Sequence, residues 1–349
     1  MAGEFQQLMG AFKVAEKIYD VIIVGAGPAG LAAALYTARD RYSTLLLDKY
    51  VPGGQINLTD RIENYPGFER ITGPDLVANM SKQAQAFGAE LETAAEVAGL
   101  ARLDARPARG DDGVLEVSLT DKPPRQARAV ILALGSDYRK LGVPGEEEFT
   151  GAGVSYCGTC DAPFFKDKRV LAVGGGNVAV EDTIHLSKFA AKVIMIHRRD
   201  EFRATPVLVE ELLETAKKNG NIEILYSHTL SEIKGSGKVE NATLLNKKTK
   251  KTFDVAVEGV FVFVGMVPNT KFLNGVVELN ENGYIRTPAG RLRTNMEGVF
   301  VAGDCREGAA MQLATACGDG VEAAMLLRQY FREPKFWSKR RETQGESWA

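Results

Sequence analysis

Two cysteines separated by two residues stand near the middle of the chain, in Cys157-Gly158-Thr159-Cys160-Asp161. Such a pair can close a small disulfide, and one of its thiols can be acidic enough to exist as a thiolate near neutral pH, as thiol–disulfide exchange requires. Asp161, the next residue, is a candidate proton donor. The competing readings are half of a zinc site or a structural bridge. Zinc asks for about four ligands, and Cys305, Cys317, His185, His197 and His228 supply no second close pair. Redox chemistry without a metal is therefore the favoured reading.

The cysteines lie between two glycine clusters of dinucleotide-binding form. The first follows the β-branched run Tyr19-Asp20-Val21-Ile22-Ile23-Val24, which reads as a buried strand. It is Gly25-Ala26-Gly27-Pro28-Ala29-Gly30, opening an alanine-rich helix over 29–39. Glycines at these spacings permit a tight turn, backbone approach to a pyrophosphate and close helix packing, with the helix N-terminus facing the anion. A second strand, 44–47, ends in Asp48, 23 residues after Gly25, where an acid can accept a bond from a ribose hydroxyl. Strand, turn, helix and acid together favour dinucleotide binding over an ordinary βα turn.

The second cluster begins 17 residues after Cys157, behind a strand at 169–173: Gly174-Gly175-Gly176-Asn177-Val178-Ala179. A helix over 178–188 and a strand over 192–196 are expected next. That strand ends in His197-Arg198-Arg199, with Arg203 one helical turn beyond. An acid there would suit a free ribose hydroxyl, whereas arginines favour a 2′-phosphate through bidentate, charge-assisted bonds. NADP is the resulting expectation, with a solvated basic face as the bland alternative.

The remaining chain must position these groups. Its 349 residues exceed the roughly 100–200 of one domain. A helix at 73–88, strands through 114–119 and 129–134, and a hairpin connection at Arg102–Gly113 complete the first unit. Asp137 to Phe149, rich in glycine, proline and glutamate, reads as a linker. The second unit continues with a helix at 206–219 and strands near 222–226, 239–245, 252–257 and 260–264. Gly298-Val299-Phe300-Val301-Ala302-Gly303-Asp304 then reads as a strand delivering an acid, followed by a helix at 309–330; if this segment rejoins the first unit, Asp304 could bind flavin hydroxyls. The expected organisation is an N-terminal arm (1–17), a first domain (18–140 and 267–332) interrupted by a second (141–266), and a tail (333–349). The fold class is α/β, with two Rossmann-like dinucleotide-binding domains in three ββα layers. Charged residues are 25% with net charge −2, which provides no overall attraction to nucleic acid or anionic membrane. No run of about 18 apolar residues and no export signal is evident, and the sparse cysteine usage fits a cytoplasmic enzyme.

In the order G-A-G-P-A-G, P-G-G-Q-I, E-N-Y-P-G, C-G-T-C-D, G-G-G-N-V-A-V-E-D, H-R-R-D-E-F-R-A, G-M-V-P-N-T and G-V-F-V-A-G-D, the chain resembles the low-molecular-weight thioredoxin reductases over roughly residues 18–332. The resemblance implies FAD in the first domain, carried by Gly25, Gly27, Gly30, Asp48, Gly53, Gly54, Gln55, Asn64, Asp304 and Gln312. It implies NADPH in the second, at Gly174, Gly176, Asn177, His197, Arg198, Arg199 and Arg203. It further implies a homodimer, electron flow from NADPH through flavin to the cysteine pair and on to thioredoxin, and hinges near 137–146 and 264–272. By the same carry-over Cys160 meets the flavin, Cys157 attacks the substrate disulfide and Asp161 shuttles the proton. Three departures stand out: Gly158 where the family usually has alanine, Met311-Gln312 where Arg-Gln is frequent, and a tail carrying Phe336, Trp337 and Trp348 among Lys339, Arg340 and Arg341. Some relatives take electrons from ferredoxin or carry a second flavin, and an aromatic tail stacked on a flavin would fit such a variant; a disordered end is the plainer expectation. A flavin reductase with a donor other than a pyridine nucleotide, and a nucleotide-binding disulfide protein without turnover, remain alternatives.

Overall fold

The computed structural model describes residues 17–59, 61–103, 113–288, 291–333 and 336–337. Most of the expected arm and most of the tail lie outside these residues. The strands are β1 (Ile18–Val24), β2 (Thr44–Leu47), β3 (Glu90–Glu92), β4 (Val97–Leu103), β5 (Val114–Leu119), β6 (Arg125–Leu132), β7 (Ser136–Tyr138), β8 (Val154–Ser155), β9 (Arg169–Gly174), β10 (Lys192–His197), β11 (Ile222–Tyr226), β12 (His228–Gly235), β13 (Val239–Asn246), β14 (Thr252–Ala256), β15 (Gly259–Phe263), β16 (Met266–Pro268) and β17 (Val299–Val301). The helices are α1 (Pro28–Arg39), α2 (Gly73–Ala86), α3 (Gly158–Asp161), α4 (Asn177–Leu186), α5 (Pro206–Asn219) and α6 (Leu313–Arg332). The described residues form two compact units, one taking those up to Asp137 and from Pro268 onward, the other Tyr138–Val267.

In the first unit the parallel order β3–β2–β1–β6 is extended at the far side of β6 by two different strands. Arg125–Ala127 pair antiparallel with β5, and Val130–Leu132 pair parallel with β17, so the sheet forks along β6. The expected connection at Arg102–Gly113 falls mostly outside the described residues; its flanks pair antiparallel, with Leu103 opposite Val114. β1 is buried on both faces, which is why its sequence runs apolar rather than alternating. Val21 and Ile23 join the core under the helices, while Ile22 and Val24 join the core on the opposite face. α1 and α6 approach closely because Gly320 has no side chain: a Cβ there would lie 2.1 Å from the Ala29 carbonyl oxygen.

The second unit has an all-parallel sheet, β11–β10–β9–β15–β8, and a separate antiparallel sheet, β12–β13–β14. α4 and α5 contribute to the core on one side of the parallel sheet, and the antiparallel sheet to the core on the other. β12 was not expected from the sequence. Its register slips between Leu230 and Glu232, which breaks the period-two signal while leaving Leu230 and Ile233 buried. The stretch read as a linker is also built: buried Glu146 accepts N–H bonds from Leu141 (3.0 Å) and Gly142 (2.7 Å) and an O–H bond from Tyr156 (3.1 Å). α6 starts at Leu313 instead of 309, because Met311 adopts φ +54° and Gln312 is extended as the N-cap.

The described tail residues Phe336 and Trp337 pack on the first unit's core. Phe336 is buried, and Trp337 meets Phe300 edge-on at 5.0 Å. Arg293 donates to the Phe336 carbonyl at 3.0 Å and lies over its ring at 4.9 Å. Phe336 belongs to the core of the first unit, and the partly buried Trp337 packs against it. Trp348 and Lys339–Arg341 lie outside the described residues.

Candidate active site

Cys157 and Cys160 form a disulfide with a Cα–Cα distance of 5.3 Å. The turn that holds it is short because β8 ends at Ser155 and Cys157 serves as N-cap of α3, its Sγ accepting from the Cys160 N–H at 3.2 Å. Ser155 ties the turn together. Its Oγ accepts from the Cys157 N–H at 3.1 Å and donates to Asp161 Oδ2 at 2.6 Å. Burial pushes the Asp161 carboxyl pKa up, and the Ser155 bond opposes that shift. A carboxyl held this way is suited to carry a proton beside a thiol. A second acid, Asp182 on α4, accepts from the Gly158 N–H at 3.3 Å and from the Thr159 hydroxyl at 3.4 Å. Neither Ser155 nor Asp182 was singled out from the sequence; the only local signal was the position of Ser155 two residues before Cys157.

At the first glycine turn the three glycines have different reasons. Gly25 has φ +103°, and a Cβ there would meet the Ala133 carbonyl oxygen at 2.3 Å. Gly30 would meet the Gly25 oxygen at 1.8 Å. Gly27, the N-cap of α1, has nothing within 4 Å of its absent Cβ and no side-chain cap. Its open side leaves the first N–H groups of the helix free to meet an anion. Asp48 reaches the same turn, accepting from the Ala26 N–H at 2.7 Å and from the Tyr50 N–H at 2.8 Å. Each carboxylate oxygen keeps capacity for a further bond. Gly53 donates its N–H to the Ala26 oxygen at 2.8 Å, and Gly54 brings its Cβ position to 3.9 Å from the Gly27 Cα. Gly303, before Asp304, packs on Ala29 at the start of α1, its Cβ position 2.9 Å from that of the alanine. Burial, with Asp319 nearby, pushes the Asp304 carboxyl pKa up to about 6, while Arg306 pulls the other way. Gln312 caps α6 without a side-chain bond. Gln55 instead bonds Asp137 at 2.5 Å, and Asn64 is exposed on its loop. The neighbouring Tyr65 hydroxyl reaches Cys317 Sγ on α6 at 3.8 Å.

The second turn repeats the division of labour. A Cβ on Gly174 would meet the Phe263 oxygen at 2.6 Å, whereas Gly176, the N-cap of α4, faces open space. Asn177 is spent on structure, its Oδ1 accepting the Thr205 N–H at 2.9 Å. His197 is buried beneath the turn, where a Cβ on Gly175 would strike its Nδ1 at 2.2 Å. Its Nε2 has no hydrogen-bond partner, and burial lowers its pKa. His197 thus supports the turn from below instead of lying on the surface with the arginines. Arg198, Arg199 and Arg203 are exposed, and Arg203 donates its backbone N–H to the Gly175 oxygen at 2.7 Å. Asp200, the acid among them, is engaged by Lys248 at 2.7 Å and by Ser227. The other cysteines are unsuited to exchange: burial raises the pKa of both Cys305, to about 12, and Cys317. Among the described residues no cluster of three His, Cys, Asp or Glu could hold a metal, and no helix is long and apolar enough to cross a membrane.

The family model of the pyridine nucleotide-disulphide oxidoreductases matches residues 19–320. The chain is 44% identical to the thioredoxin reductase of Bacillus subtilis, over 91% of this chain and 96% of the relative. It is 43% identical to that of Listeria monocytogenes, over 92% and 96%. The solved structure of the thioredoxin reductase from Streptococcus pyogenes matches with a TM-score of 0.82 at 39% identity, covering 91% of this chain and 99% of that one. With a disulfide turn and two open-sided glycine turns of dinucleotide-binding form, the chain belongs to the pyridine nucleotide-disulphide oxidoreductases and, among them, to the thioredoxin reductases.

Proposed function

We propose that the first unit holds FAD and the second NADPH, and that electrons pass to the Cys157–Cys160 disulfide and on to thioredoxin. The observation that carries the reading is the disulfide itself, held next to the Asp161 carboxyl in a unit whose glycine turn is open at Gly176. The residues fit both cofactors. Gly27 and Gly176 leave helix N-termini clear for pyrophosphate, with Asp48 and Asp304 placed about the first turn. Arg198, Arg199 and Arg203, exposed and beside an acid already paired with Lys248, suit a 2′-phosphate. When bound, the nicotinamide supplies a hydride and the flavin relays its two electrons to a disulfide.

The chain's own steps are exchange chemistry. The Cys157 thiolate attacks one sulfur of the thioredoxin disulfide, forming a mixed disulfide and releasing the other sulfur as a thiolate that takes a proton. Cys160, deprotonated, then attacks Cys157 Sγ, reforming the internal disulfide and releasing reduced thioredoxin. Asp161 accepts and returns the proton. A homodimer and operation in the reducing cytoplasm accompany this reading on family grounds. Anaerobic stopped-flow mixing with NADPH, followed by addition of oxidised thioredoxin, tests it: flavin absorbance should bleach and then recover. A flavin that stays oxidised under excess NADPH yet accepts electrons from ferredoxin would refute the donor assignment.

A further inference from the structure

Backbone freedom does not explain the glycine at position 158, since its φ is not among the positive values of the described residues. Space does. A Cβ on Gly158 would lie 2.7 Å from Asp182 Cγ and 2.8 Å from Asp182 Cβ, contacts that real Cβ atoms do not make. The Asp182 Cβ is fixed to the α4 backbone, so rotating the carboxylate alone does not clear the overlap. The same carboxylate accepts from the Gly158 N–H and the Thr159 hydroxyl.

We propose that Asp182 is a positioning residue for the redox turn: its carboxylate takes the space a side chain at position 158 would need, fastens the Gly158–Thr159 backbone to α4, and sets a second acid beside the Cys157–Cys160 pair that makes the pair more reducing. This rests on the reading of those cysteines as the working couple. Reduction adds two electrons to the disulfide and yields two sulfurs, one or both of which take up protons. A neighbouring negative charge disfavours the thiolate form, and therefore the reduced state, wherever one sulfur stays ionised. Burial raises the Asp182 pKa, opposed by the Gly158 N–H bond and by His185, with Glu181 acting in the same direction as burial. On the turn itself the titrating groups are Asp161 and the two cysteines. The consequence is a pair whose potential depends on a residue remote from the C-x-x-C sequence.

The test uses the holoenzyme equilibrated with mixtures of dithiothreitol and its cyclic disulfide, which exchange two electrons and two protons with the pair. After acid quench, alkylation and mass spectrometry count free Cys157 and Cys160. Asp182→Asn keeps an oxygen acceptor for the Gly158 N–H but removes the charge. We expect its equilibrium to move about tenfold toward the dithiol, equivalent to ~30 mV for a two-electron couple, and its pH profile of iodoacetamide alkylation to move to lower pH. Gly158→Ala should disturb the couple, and combining it with Asp182→Ala should restore the turn, so that the two changes are strongly non-additive. Wild-type values in Asp182→Asn would overturn the charge argument, and additive effects of the other two changes would overturn the packing argument. A wild-type pair that never exchanges with dithiothreitol would overturn the redox reading itself, and the inference with it.

Discussion

Gly27 and Gly30 belong to one motif, yet the structure assigns them opposite consequences. Gly30→Ala would place a methyl 1.8 Å from the Gly25 oxygen and 3.4 Å from Ile23 Cγ2, with backbone on the near side that cannot rotate away. Relief requires moving α1 off β1, an overpacking cost of ~3 kcal/mol or more, or roughly 6–12 °C in Tm for a unit of this size. Gly27→Ala meets no protein atom within 4 Å, and its φ of −70° with ψ of −177° is open to any residue. The flavin-free protein should therefore unfold at the wild-type temperature or slightly above, because alanine restricts the unfolded chain. Its methyl would stand where a pyrophosphate must approach the helix N-terminus, so FAD affinity should fall at least tenfold. Differential scanning fluorimetry of deflavinated protein and FAD titration by fluorescence separate the two effects. Equal destabilisation by both variants, or wild-type FAD affinity in Gly27→Ala, would refute the reasoning.

On the proposed role of Arg198 and Arg199 as holders of a 2′-phosphate, each charge-assisted contact would be worth ~1.5–3 kcal/mol, so Arg198→Ala with Arg199→Ala should lower the preference for NADPH over NADH by at least about 10²-fold, mainly through KM; an unchanged preference in steady-state kinetics would remove these residues from the donor site. Ser155→Ala deletes the bond to Asp161 that offsets burial, so Asp161 should hold its proton to higher pH and the pH profile of thioredoxin reduction should move upward; an unmoved profile would mean that Asp161 does not set it. Asp304 titrates near 6 in the fold, above its ordinary value of 3.8. Its contribution to stability is thus fully present below about pH 4 and lost as pH rises through about 6. Asp304→Asn should accordingly raise the Tm of deflavinated protein at pH 8 and leave it nearly unchanged at pH 4; no difference between the two pH values would contradict the shift. Cys157→Ser should keep a flavin-facing thiolate and its long-wavelength absorbance band, and appearance of the band in Cys160→Ser alone would exchange the roles of the two cysteines.

The amino-acid sequence by itself determined the chemistry and where the two glycine turns fall, because those demands are local. A pyrophosphate-facing turn needs residues without side chains at set offsets between a strand and a helix, and a dithiol needs two cysteines one turn apart. The helices expected at 29–39 and 206–219 and the strands at 44–47 and 222–226 were legible for the same reason, from apolar patterning and flanking glycine or proline. The tertiary structure decided what surrounds these turns. Asp182 meets Gly158 across 24 residues of sequence, and His197 lies beneath Gly175 after an intervening helix. Glu146 turns a polar stretch into a buried network, β12 hides its period behind a bulge, and Phe336 with Trp337 closes a core around Arg293. The Asp182, His197 and Arg293 contacts join segments remote in the chain, while the Glu146 network and the β12 bulge are local devices that a polar sequence or a period-two pattern does not reveal. Burial, the displacement of water and the exclusion of a methyl group by a distant carboxylate exist only once the folded backbone has brought those segments together.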